Sequence, residues 1–243
     1  MEKEVAKKES TQVAKETDYS SFYEGDSAVT SDDVALSSLI LLQGQSEFVT
    51  EHNLPAGAIV DREAKEVVAE VGKGVEVIPV GFNKTWMVVT QGDSSDYLAM
   101  LPFIKGESYP NAGKWEGIDV HFFACIHAYV LIPELSSIPY KVMFKSTSLK
   151  AGKQLLTEAI VKNQMANKPP FAYSMILGSE RRKGKKGTYF AYTMKRGNKI
   201  PTAVYKDLIT WFKTVKGLVS TENANLRANE EERKKVNVSD ADI

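Results

Sequence analysis

The chain has 243 residues, a formal net charge of zero and one cysteine, Cys125. A single thiol excludes an intrachain disulfide, and no stretch approaches the ~20 apolar residues of a helical membrane span. No apolar leader opens the sequence, so an intracellular, reducing setting is expected. The neutral total conceals a sorted charge. Residues 141–216 carry 17 Lys/Arg against 3 acids, residues 1–140 carry 10 against 22, and residues 217–243 carry 4 against 6. Such asymmetry points to a polyanionic partner.

In chain order, residues 1–33 are rich in Lys, Glu, Ser, Thr and Asp with scattered apolar residues. They are expected to be a disordered tail, because they bury too little to offset ordering entropy. Residues 34–219 are expected to form one domain, and residues 220–243 a flexible tail with an acidic tip. The first half of the domain reads as short strands between turns: Leu36 to Leu42, Gly57 to Val60, Glu66 to Val71, Gly74 to Val80, Thr85 to Thr90, Asp119 to Ile132 and Tyr140 to Lys145. This spacing predicts a β-barrel or sandwich. Helical spacing follows over Ser148 to Ala166 and over Thr202 to Lys216, where Gly217 supplies a stop. Between the helices lies a hairpin: a strand over Phe171 to Ser179, a connection over Glu180 to Gly187 and a return strand over Thr188 to Lys195. The fold class is therefore mainly β with flanking helices, an α+β arrangement.

The hairpin is the sharpest chemical feature. Arg181, Arg182, Lys183, Lys185 and Lys186 lie within eight residues, followed by Tyr189, Phe190, Tyr192, Lys195, Arg196 and Lys199, with Tyr173 on the facing strand. Cations neutralise phosphates and release counterions. Aromatic rings stack on unpaired bases, worth about 1–3 kcal/mol per base. Together they predict a surface for single-stranded nucleic acid; the bland alternative is a solvated hairpin with core aromatics. Alternation puts Phe190 and Tyr192 on one face of the strand and Tyr189 and Ala191 on the other.

His121, Cys125 and His127 share the odd face of the Asp119–Ile132 strand, whose even face is wholly apolar. They lack a paired-Cys motif and a fourth ligand, so no metal or other cofactor is expected. The odd face is expected to be half exposed. Glu63-Ala64-Lys65 with Asp61 faintly fits a metal-dependent nuclease but reads as a hairpin tip. No phosphate-binding loop, nucleophile elbow or zinc-protease helix occurs, so no catalytic residue is expected.

The strand-rich first half, basic aromatic hairpin, flanking helix and acidic tail resemble the phage-encoded single-stranded-DNA-binding proteins built on an OB-type β-barrel. Leu39-Ile40-Leu41-Leu42-Gln43-Gly44 and Pro55-Ala56-Gly57-Ala58-Ile59-Val60 look like a phage early-gene family of this type. The resemblance implies non-catalytic coating of single-stranded DNA, with RNA as the alternative strand, self-association, and work in replication or recombination in the host cytoplasm. It also implies recruitment of replication and recombination proteins through the tail, where Asp240, Asp242 and Ile243 form the acidic, apolar-ended tip. Rival readings are an assembly protein that meets an acidic protein surface, and a nuclease or annealase.

Overall fold

Residues 74–90, which read as two strands in the sequence, form one. The computed structural model describes residues 36–92, 96–184 and 187–239, and within them this 17-residue strand is the spine of the sheet. The elements are β1 (Ser38–Leu41), α1 (Glu47–Glu51), β2 (Ile59–Asp61), β3 (Glu66–Ala69), β4 (Gly74–Thr90), β5 (Tyr97–Pro102), β6 (Ala112–Trp115), β7 (Ile118–Ile132) and β8 (Ser136–Lys145). Then come α2 (Leu149–Leu156), a π-helical turn (Thr157–Lys162), α3 (Asn163–Met165), β9 (Tyr173–Gly184), β10 (Gly187–Lys199) and α4 (Tyr205–Ser239).

The strands pair in the order β10-β9-β4-β7-β8-β1-β2-β3, with β5 added to β4 and β6 to β7. All pairs are antiparallel except β1 with β8. The first residues of β4 pair with β9 and its last with β5. Likewise β7 gives its start to β6 and its end to β8. The sheet thus divides into a curled, barrel-like part and an arm, β5-β4-β7-β6. Pro79 has no N–H to give the ladder, and the β4–β7 register shifts between Pro79 and Gly81.

Curling brings β10 back beside β1. The Gln43 side chain closes the seam: Nε2 donates to the Phe190 carbonyl at 3.0 Å and Oε1 accepts from the Phe190 N–H at 3.0 Å. One amide side chain does what a strand neighbour would do. The Tyr192 hydroxyl donates to the Leu39 carbonyl at 3.2 Å across the same gap.

The even face of β7 fills the barrel as its alternation predicts: Ile126, Ala128, Val130 and Ile132 join Val142, Phe144, Leu155, Met175 and Leu177. Helix α2 plugs one end. A Cβ on Gly152 would sit 2.8 Å from Phe144 Cβ and 3.2 Å from Ile126 Cβ, so the bare glycine is what lets the helix approach.

Helix α4 corrects the expected stop at Gly217 and the expected flexible tail from Ser220, because it runs unbroken to Ser239. A mid-helix glycine costs about 1 kcal/mol. That cost is outweighed by packing on both sides of it. Leu208, Trp211, Phe212, Val215 and Val219 cover Ile78, Val80, Tyr129 and Leu131 on the outer face of β4 and β7. Beyond them Glu222 accepts from Asn83 Nδ2 at 3.1 Å, Tyr129 OH at 3.0 Å and Lys141 Nζ at 2.8 Å. The helix passes so close to Gly81 that a Cβ there would meet Val215 Cγ1 at 2.1 Å. Gly81→Ala should therefore destabilise the fold by about 1–3 kcal/mol, the usual cost of overpacking. Urea denaturation checks this, and an unchanged midpoint would show the helix is not held against the sheet.

Candidate nucleic-acid interface

The expected Glu180–Gly187 connection is mostly strand. β9 runs on to Gly184 and β10 resumes at Gly187, with Arg181 opposite Phe190, Arg182 opposite Tyr189 and Lys183 opposite Thr188. Pairing sends successive cations to opposite faces, which relieves the repulsion that a compact loop would suffer. Arg181 and Lys183 are exposed. Arg182 turns back to Glu180, with Nε donating at 2.6 Å. That bond holds the guanidinium pKa above its ordinary value. Lys185 and Lys186 lie outside the described residues, as do the tail positions Asp240, Asp242 and Ile243.

The aromatics divide. Tyr189 is half-buried beside Arg182, and a Cβ on Gly184 would lie 3.1 Å from its ring, so the ring rests along that glycine. Phe190 is half-buried, its ring against Gly57 and Val71. Tyr192 is a core residue: it is 5% exposed, its ring meets Phe144 edge-on at 5.2 Å, and burial pushes its phenol pKa up. Only its edge lines the seam cleft, too little of the ring to stack on a base, which corrects its place among the stacking residues. The sheet alternation that puts Tyr192 on the Phe190 face also points it inward.

Tyr173, Lys195, Arg196 and Lys199 do not join the tip. Tyr173 pairs with Lys199 at the foot of the hairpin, eleven steps along β9 from Gly184 and thus about 35 Å away. There the Arg196 guanidinium lies 3.6 Å above the Tyr173 ring, and Lys168 Nζ donates to the Tyr173 hydroxyl at 2.8 Å. The Lys168 bond, ahead of the nearby positive charges, lowers the phenol pKa. The predicted single arm is therefore two cationic clusters, one at each end of the hairpin.

Between them the seam leaves a cleft of about 390 Å³, lined by residues including Ile40, Gln43, Met143, Lys145, Thr147 and Phe190. Sequence reasoning missed Gln43, Met143 and Lys145, because nothing in their neighbourhood marks strand ends that open beside a hairpin far along the chain, 147 residues on in the case of Gln43. Lys145 is exposed, and Met143 and Phe123 are half-buried on the outer face of β7 and β8 that α4 leaves uncovered.

Beside Phe123, the rest of this odd face of β7 is more covered than expected. Cys125 is 1% exposed and His127 2%. Burial raises the Cys125 thiol to about 11, which leaves it an inert thiol near neutrality. His127 Nε2 faces Thr85 Oγ1 at 2.8 Å, and burial, then the Lys141 charge, press its pKa down to about 4. Among the described residues no group of three or more His, Cys, Asp or Glu is placed to hold a metal ion. Asp61 accepts from Ser37 Oγ and from the Glu63 and Ala64 N–H groups, and Glu63 accepts from Ser37 Oγ and the Ser38 N–H. These two carboxylates shape the β2–β3 turn.

The buried imidazole gives acid sensitivity with a definite sign. Between pH 6.5 and about 4 the unfolded chain binds a proton that folded His127 refuses, so stability falls as pH drops through that window. Glu222 behaves differently. Burial works to raise its pKa, but the hydrogen bond and charge of Lys141 and the bond from Tyr129 hold it below the ordinary carboxylate value. Its contribution is present above that ordinary value and is lost only as pH falls through the lower folded one. Melting temperature measured from pH 7 to 5 should fall, and His127→Gln should flatten the curve. An equal slope in the variant would place the sensitivity elsewhere.

Compared with protein-family models, curated proteins and solved structures, the chain matches none. No helix among the described residues is long and apolar enough to cross a membrane.

Proposed function

We propose that this chain is a non-catalytic single-stranded-DNA-binding protein built on an OB-type barrel. What supports the barrel reading is the order β10-β9-β4-β7-β8, with α2 between β8 and β9, which fits the strand order expected of such a barrel. β4, β7 and β8 stand as its first three strands and β9–β10 as its closing hairpin. β1 is an addition, parallel to β8 in the gap before β10. OB barrels hold oligonucleotides on the face of the second and third strands and on the loops that join strands one to two and four to five. Here those parts are the uncovered face with Phe123, Met143 and Lys145, the β5–β6 arm, and the hairpin tip.

The observation that carries the reading is that coincidence: the densest run of cations sits at the loop that an OB barrel uses for binding, with Tyr189 and Phe190 beside it. The acidic end of the chain, Asp240 to Ile243, is the segment for recruiting replication and recombination partners, in the role that phage proteins of this kind perform.

Fluorescence titration with single-stranded DNA, duplex DNA and RNA of equal length, at two salt concentrations, tests this. Single-stranded DNA should bind tightest and weaken with salt, because rings need exposed base faces to stack. Equal or tighter duplex binding would overturn the reading, and tighter RNA binding would reassign the substrate.

A further inference from the structure

The cluster at the foot of the hairpin is too far from the tip to serve the same few nucleotides, and it faces a different part of this chain. Arg196, Lys168 and Lys199 surround the Tyr173 ring, with Glu158 the acid beside Arg196, 3.7 Å away. Glu158 is already bonded to Lys162 at 2.5 Å, so it offsets Arg196 only in part. The Arg196 side chain stays 38% exposed. A guanidinium that stacks on one ring readily takes a second aromatic or a carboxylate.

The N-terminal segment leaves the described fold near this cluster. The Lys141 N–H donates to the Ser37 carbonyl, Leu36 packs against the cluster that contains Phe171 and Ile200, the residue after Lys199, and β1 lies across the seam from β10. Further upstream the sequence changes character. Residues 16–26 read Glu-Thr-Asp-Tyr-Ser-Ser-Phe-Tyr-Glu-Gly-Asp: four carboxylates, three aromatic rings and no Lys or Arg. Carboxylates spaced among rings present the same chemistry as phosphates spaced among bases.

We propose that the foot cluster is a second anion-binding surface and that its occupant in the free protein is residues 16–26 of the same chain. The carboxylates pair with Lys168 and Lys199, and one of Tyr19, Phe22 or Tyr23 lies on Arg196. The short tether favours this site over the tip, because effective concentration falls with the length of chain that must be spanned. Nothing in this step needs nucleic acid, so its test is independent of the DNA-binding reading.

The test is zero-length carbodiimide crosslinking of the full-length protein, dilute and at low salt, followed by peptide mass spectrometry. The Lys141–Glu222 pair, 2.8 Å apart, is the internal control for a formed contact and an intact fold. Expected are crosslinks within the monomer from Glu16, Asp18, Glu24 or Asp26 to Lys168 or Lys199. They should vanish at high salt and drop several-fold in Arg196→Gln while the control crosslink persists. The proposal is overturned if those carboxylates couple to Lys183, Lys185 or Lys186, if they couple evenly to lysines across the surface, or if they fail to couple while the control pair does.

Discussion

Replacing Arg181, Arg182, Lys183, Lys185 and Lys186 together with alanine is expected to weaken single-stranded-DNA binding several-hundredfold at about 0.1 M salt. Each phosphate contact on a single strand contributes about 0.7 to the log–log salt slope. Arg182 is already committed to Glu180, so about four contacts are lost and the slope should flatten by roughly 3. The fold should survive, since Arg181 and Lys183 are exposed and surface substitutions usually change stability by less than about 0.5 kcal/mol. Anisotropy titrations at several salt concentrations, with thermal melting alongside, give both answers. Unchanged affinity and slope would move the interface to the foot cluster or the cleft.

Phe144→Ala is expected to cost about 3–5 kcal/mol, the range for truncating a buried phenylalanine. Phe144 is fully buried, meets the Tyr192 ring edge-on and receives the bare backbone of α2 at Gly152. Its loss opens a void that neither neighbour can fill: Tyr192 is tied to Leu39, and α2 already lies in contact. For a small domain such a loss is a large share of total stability. Urea denaturation should show a strongly lowered midpoint; a shift below about 1 kcal/mol would mean that the barrel end collapses onto the void. Phe144→Leu should be much milder.

Much of the architecture was legible in the residues. The alternation of β7 alone assigns its even side chains to the core, and the two helices and the basic hairpin begin where spacing puts them. Three things were not legible. β6 is short and partly exposed, without the apolar run that marks a strand. Gly217 reads locally as a stop, and the packing of Val219 with the distant contacts of Glu222 and Glu230 carries the helix past it. The Tyr109 hydroxyl donates to Glu230 at 3.2 Å, a pairing that no periodicity within α4 announces. The site was legible as chemistry and not as geometry. The sequence lists Tyr173, Tyr189 and Tyr192 as equals, whereas the hairpin's length sends one to each end and its pleat buries the third.

The span of α4's contacts sets a timetable for synthesis. Asn83 waits 139 residues for Glu222. At translation rates of about 5–20 residues per second, that is roughly 7–28 s during which Ile78 and Val80 have no cover. Contacts this remote also slow folding once the chain is free, because loop closure precedes their reward. On the ribosome the nascent sheet therefore carries an apolar stripe whose cover is completed by α4, the last element made. Chaperone capture and premature self-association should concentrate there, and truncations that end before α4 should aggregate even though every strand has been made.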